Sequence, residues 1–265
     1  MKSLKILACV AVAVFMMSGT VLAMPTDWTN ADTWRIQDNY VGGSLDRVDA
    51  RYEHNGGDII SNVGSENLFD IEWMDVYYLE NEIGSYLKVD IRTDYVGGTL
   101  GTNYGDLFIS TNGWNPFGDS PYLQDTIANG EKWEYAFDVS SGNLYNITDA
   151  QGSILRSDDV MPSGYQYRND QEVLINNAGL LSAGTGTAGR AGEYYSMVMD
   201  ISNMTGVDGV AVDFKSMMSS GNIGLRWAMT CGNDVIEGNA PEPATILLLS
   251  SGLLGLVGYR RRFKK

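Results

Sequence analysis

Paired carboxylates are the groups in this sequence that could do chemistry, because two Asp or Glu side chains at a suitable separation suffice as acid and base, or acid and nucleophile, for glycoside hydrolysis. Three pairs are equally arguable: Glu72 and Asp75 in DIEWMD, Glu131 and Glu134 in EKWE, and Asp158 with Asp159 in RSDD. A solvated acidic face explains all three, and none stands out. Imidazole chemistry is poorly supplied. His54 is the single histidine of the chain, which excludes multi-histidine zinc sites and leaves one centre for a Ser-His-Asp or Cys-His arrangement. No G-x-S-x-G accompanies it, and YEHNGGDI places it beside a turn, so we read it as a solvated loop residue. GTGTAG, from Gly184 to Gly189, matches the G-x-G-x-x-G dinucleotide pattern. The next residues, RAGEYYSMVMDIS, continue as a strand, whereas the pattern requires a helix N-terminus for the phosphates. We read GTGTAG as a flexible loop. No residue is assigned a catalytic role, and the chain reads as non-enzymatic.

Binding chemistry has better material. Trp73, Trp114 and Trp133 accompany 15 Tyr, and flat rings suit the apolar faces of sugars. Trp114 sits among turn residues in STNGWNPFGDSPY with Tyr122 close behind, so these two are the candidate ligand-binding residues, with Trp114 as an exposed platform for carbohydrate. Oxygen ligands are plentiful while His and Cys are scarce, so any bound metal would be Ca²⁺, with GNDVIEGN and RNDQE as oxygen sources. Acidic turns without metal account for the same segments, no D-x-[DN]-x-[DN]-G loop occurs, and no metal ligand is assigned.

These residues need rigid elements to hold them, and the periodicity is that of strands. In YLKVDIR, Leu87, Val89 and Ile91 alternate with Lys88, Asp90 and Arg92, which gives one buried and one wet face. EKWEYAFDV places Trp133, Tyr135 and Phe137 on one face, and GVAVDFK does so for Val210, Val212 and Phe214. Further strands are expected in LDRVDARYE, FDIEWMDVYYL, DLFIS, EVLIN, EYYSMVMDI and IGLRWAM, each bounded by turn formers. Many short strands and 31 Gly against 6 Pro predict a mainly β fold: an antiparallel β-sandwich, jelly-roll-like, over residues 24–240.

The two ends speak of location. Lys2 and Lys5 precede an apolar run and small residues ending at Ala23, the pattern of a secretory signal peptide over 1–23. Residues 244–259 carry no charge and make a short C-terminal span, followed by a basic tail (260–265) that keeps that end cytoplasmic. With both ends set aside, 11 basic residues face 32 acidic ones. That balance excludes nucleic acid as a partner and disfavours acidic polysaccharide. Cys231 is then the lone cysteine, without an internal disulfide, and is read as a small buried residue.

Pro241-Glu242-Pro243, the apolar span and Arg260-Arg261-Arg262, in that order at the C-terminus, resemble the PEP-CTERM sorting signal of Gram-negative bacteria. The resemblance covers residues 241–265 and implies an exosortase as partner, transient insertion in the inner membrane, processing near Pro241–Pro243, and release to the cell surface or outside. It also implies an exopolysaccharide or biofilm-matrix setting. The two prolines lack N–H donors and bias the residues before them toward extended backbone, which suits access by a processing enzyme. The expected function is that of an exported surface or matrix protein with a non-enzymatic binding or structural β-sandwich, glycan-binding in one version. The alternative is a polysaccharide-acting enzyme using paired carboxylates.

Overall fold

Side chains that alternate in type also alternate in position. In the computed structural model, which describes residues 24–38, 69–98, 101–118, 122, 124–161, 168–206 and 208–239, Leu87, Val89 and Ile91 are fully buried while Lys88 and Arg92 lie on the opposite, half-exposed face. The leader, His54, LDRVDARYE and the sorting segment lie outside the described residues. Within them are the strands β1 (Asp32–Gln37), β2 (Ile71–Glu80), β3 (Ser85–Thr93), β4 (Leu107–Ser110), β5 (Tyr135–Asp138), β6 (Asn143–Asn146), β7 (Ile154–Arg156), β8 (Glu172–Ile175), β9 (Ser182–Ala191), β10 (Tyr194–Asp200), β11 (Gly224–Ala228) and β12 (Val235–Asn239). Helices are short: α1 (Ser157–Val160) and α2 (Phe214–Ser219).

Ten strands form one antiparallel ladder in the order β1-β2-β3-β10-β9-β6-β5-β4-β11-β12. Its two halves face each other. Val76, Val89 and Met197 from the first half share a buried cluster with Leu107, Phe137, Leu225 and Trp227 from the second. Burying one such side chain stabilises the fold by about 1.5–3 kcal/mol. A Cβ on Gly238 of β12 would lie 2.8 Å from Cγ2 of Ile36 in β1, so the outermost strands of the ladder approach one another and the sheet is nearly closed. The mainly β, antiparallel expectation is met, with the layers continuous through β9.

That joint corrects one expectation: GTGTAG is strand, not loop. Residues Ser182–Thr185 of β9 pair with β6, and Gly186–Ala191 pair with β10. A Cβ on Gly186 would come within 2.3 Å of the Val198 carbonyl oxygen and 2.7 Å of the Phe137 ring. Glycine here permits a close approach that lets one strand serve both layers.

A two-stranded sheet, β7-β8, covers the outer side of the second layer. Ile154 and Ile175 pack there with Phe108, Ala136 and Trp133. Trp133 therefore does not share the face of Tyr135 and Phe137, which belong to the main core. β5 begins only at Tyr135, so strand alternation does not extend back to Trp133, and both faces of β5 are buried. GVAVDFK also departs from its expected strand. The Asp213 carboxylate accepts the Ser216 N–H at 3.0 Å and starts α2, whose Phe214 and Met218, four apart, are its buried pair. A side-chain cap and helical spacing prevail over a two-residue alternation that the same residues also satisfy.

Candidate functional site

A cleft of about 620 Å³ opens between the main sheet and β7-β8. Asp106 and Asp138 line it, with Ser140, Asn176 and Asn177 as further polar groups and the ring pair of Tyr104 and Tyr195 as its apolar side. Those rings stack with centroids 3.8 Å apart and planes 7° off parallel. Local turn chemistry positions the polar groups. Asp138 Oδ1 accepts the N–H of Ser140 at 2.8 Å and of Ser141 at 3.1 Å, and the Ser140 hydroxyl at 2.7 Å. Gly142, at φ 69°, then closes the turn into β6. Asp138 Oδ2 accepts the Asn177 amide at 2.7 Å, which ties this turn to the end of β8.

Asp106 is a second tie. Its Oδ1 accepts the Val139 N–H at 3.0 Å and its Oδ2 the Ile175 N–H at 2.8 Å, so one carboxylate fastens the β5 end to β8. Burial pushes Asp106 up to about 7 against the pull of those two amides, and the nearby Asp138 charge adds to the rise. Asp138 moves the other way. Burial acts to raise it, but the Ser140 and Ser141 hydrogen bonds outweigh burial and hold it below the ordinary carboxylate range.

Trp114 and Tyr122 come together at another place, their rings edge to face at 5.2 Å and 83°. Trp114 is half-buried, and its indole N–H donates to Glu237 Oε1 at 2.7 Å. Glu237 is buried beside Arg226, whose guanidinium also reaches Glu172 Oε2 at 3.1 Å and hydrogen bonds Gln171. Burial pushes Glu237 up to about 8, opposed by the Arg226 charge. The loop carrying Trp114 is shaped by Glu131 and Glu134. Glu134 accepts the Thr111 N–H at 2.7 Å and the Asn112 amide at 3.0 Å, and Glu131 accepts the Lys132 N–H at 2.9 Å and the Asn115 N–H. These two carboxylates are thereby brought together, with the Ser110 hydroxyl at 3.3 and 3.2 Å from them.

The other carboxylate pairs go to separate partners. Asp75 receives Arg35 in a two-point contact at 2.6 and 2.7 Å, while Glu72 lies 3.3 Å from Arg92. Asp158 accepts the Asp170 N–H at 3.0 Å, and Asp159 the Arg156 N–H at 3.2 Å, at the start of α1. In the expected oxygen-rich segments, Asp234 accepts the N–H of Ile71 at 2.7 Å and of Val235 at 2.9 Å. Among the described residues, no three or more His, Cys, Asp or Glu gather as a metal site. Cys231 is buried, and burial pushes its thiol up to about 12.

Sequence reasoning did not single out Asp106, Asp138, Asn176 or Asn177. A local signal existed for Asp138, since Asp-Val-Ser-Ser-Gly is a side-chain-capped turn. None existed for Asp106, whose partners lie 33 and 69 residues away.

β12 ends the described residues at Asn239, and beyond it the expected span 244–259 lies outside them. Among the described residues no helix is long and apolar enough to cross a membrane. No curated protein and no solved structure matches the chain. The family model described as the PEP-CTERM protein-sorting motif matches residues 239–262, so it begins on the last residue of β12 and takes in Pro241, Glu242, Pro243 and Arg260–Arg262. The chain therefore carries a PEP-CTERM sorting motif that begins where its last described strand ends, the mark of export through the inner membrane and exosortase processing toward the cell surface or beyond.

Proposed function

We propose that this exported, exosortase-processed protein acts at the cell surface or in the extracellular matrix as a non-catalytic binding module. Its ligand is a neutral, hydroxyl-rich molecule such as an oligosaccharide. The observation that supports this most is the make-up of the cleft, which Asn176, Asn177, Ser140 and Asp138 line together with the stacked Tyr104 and Tyr195. Side-chain amides, hydroxyls and carboxylates orient sugar hydroxyls, and ring surfaces take the apolar faces. The strongly acidic domain favours neutral over acidic glycans.

Binding is favoured over hydrolysis because both cleft carboxylates already serve the fold. Each oxygen of Asp106 and Asp138 accepts an N–H or hydroxyl from the chain itself. The enzymatic alternative draws on one observation, the opposite displacement of Asp106 and Asp138 in a single cleft, which is the pattern of an acid and base pair. Titrating the full chain in mild detergent with a panel of neutral oligosaccharides, alongside a reducing-end assay, tests both. The binding reading expects saturable binding weakened by Asn177→Ala and no release of reducing ends. Release abolished by Asp138→Asn would replace it with the enzymatic one.

A further inference from the structure

The outer face of β1-β2-β3-β10, on the side of the first layer away from the core, is built in three cross-strand rows. Gln37, Trp73, Arg92 and Tyr194 are consecutive partners in one row; Arg35, Asp75, Asp90 and Ser196 in the next; Thr33, Tyr77, Lys88 and Val198 in the third. Rings thus stand on both sides of a polar middle row, and Trp73, Tyr77 and Tyr194 are half-buried instead of covered. Nothing in the core requires aromatic residues here, since the core side of these strands is filled by Met74, Val76, Val89, Ile91 and Met197.

Charge on this face is compensated internally. Arg35 grips Asp75 at 2.6 Å and lies 4.4 Å over the Trp73 ring. Lys88 reaches Asp90 Oδ2 at 2.7 Å and lies over the Tyr77 ring at 4.6 Å, and Arg92 pairs with Glu193 at 2.8 Å. Asp90 Oδ1 is the exception: Asp90 is only 8% exposed, and among the described residues this oxygen accepts no hydrogen bond. A buried acceptor left unsatisfied destabilises the fold.

We propose that this face is a docking surface for an extended neutral polysaccharide chain. Compensated charges offer nothing to an ionic polymer, whereas half-buried rings on both sides of a charge-compensated polar row suit a hydroxylated one. The spacing selects a polymer: Trp73 and Tyr194 lie two strand gaps apart, about 10 Å, and Trp73 and Tyr77 four residues apart, about 13 Å. A single sugar ring cannot bridge either distance. The surface is separate from the cleft between the main sheet and β7-β8, and stands or falls independently of it.

Affinity electrophoresis of the full chain in gels containing hydroxyethylcellulose, galactomannan or alginate reads the interaction directly. Retardation is expected with at least one neutral polymer and not with alginate. Trp73→Ala and Tyr194→Ala should each weaken it about tenfold, equivalent to about 1.4 kcal/mol per ring contact, while Trp73→Phe keeps most of it. Ser196→Arg leaves every ring in place and lays a long side chain across the middle row. It should abolish retardation with the melting temperature unchanged, and it decides the case should Trp73→Ala fail to fold. Equal retardation of wild type and Ser196→Arg, retardation by alginate alone, or none by either neutral polymer would overturn the proposal. Loss of oligosaccharide binding in Asn177→Ala with polymer retardation intact would keep this surface and separate it from the cleft.

Discussion

Replacing Asp106 by Ala removes one side chain and disconnects two elements. Its carboxylate is 2% exposed and accepts the Ile175 N–H at 2.8 Å and the Val139 N–H at 3.0 Å. The Ile175 amide is buried, so leaving it unpaired costs about 1–3 kcal/mol, and loss of the partly exposed Val139 bond adds about 0.5–1.5 kcal/mol. Asp106→Ala should therefore destabilise by about 2–4 kcal/mol at pH 5. Asp106→Asn, which keeps one acceptor and turns an N–H₂ toward the other amide, should fall between. The cost should shrink toward pH 8, because burial has raised Asp106 to about 7 and the wild type then holds a buried charge that the Ala variant lacks. Urea unfolding of the full chain at the two pH values measures the cost, and hydrogen exchange at the Ile175 and Val139 amides locates it. A cost below about 0.5 kcal/mol at pH 5, or one that grows with pH, would refute the reasoning.

Asp106 and Glu237 both have folded pKa values raised above their ordinary 3.8 and 4.5, to about 7 and about 8. Their stabilising contributions are full below the unfolded values and fade as pH rises through 7 to 8, so the melting temperature should fall from pH 5 to pH 8.5; a steady rise over that range would contradict this. Gly186→Ala should destabilise by about 1–3 kcal/mol, because its Cβ would lie 2.3 Å from the Val198 oxygen. Gly189→Ala, with open space around it, should stay within about 0.5 kcal/mol; equal effects of the two in thermal unfolding would show that β9 is not so closely held. Arg226→Met should cost about 3–5 kcal/mol by leaving Glu172 buried without its cation and Glu237 without its Arg226 hydrogen bond, and should alter Trp114 fluorescence through Glu237. A stable variant with unchanged emission would sever that link.

The first layer was legible in the sequence because only one of its faces is apolar and fully buried. Val89 and Lys88 occupy opposite sides of β3, and the same holds through β2 and β10, so alternation in type reports alternation in burial. The second layer is buried on both faces, and every residue of β4, β5 and β11 is enclosed; that hides the period and misassigns Trp133. β9 was missed because glycine is a poor strand former in general, while at Gly186 only glycine fits. The candidate sites were less legible still. Trp114 could be picked out as an aromatic in a turn, but its partner Glu237 lies 123 residues on. The cleft assembles Asp106, Asp138 and Asn177 from three distant segments that no spacing rule connects. The sorting motif was readable because it is contiguous and depends on order, not on folding.

The central claim is that a β-rich domain, whose last described strand ends at Asn239, is delivered across the inner membrane and freed from its sorting segment by an exosortase. Intact-mass measurement of the mature protein from matched cells with and without an exosortase tests this directly. Arg260–Lys265 should be lost in the first and kept in the second, with the break close to Pro241–Pro243. The same mass from both, with the basic tail still attached, would contradict it.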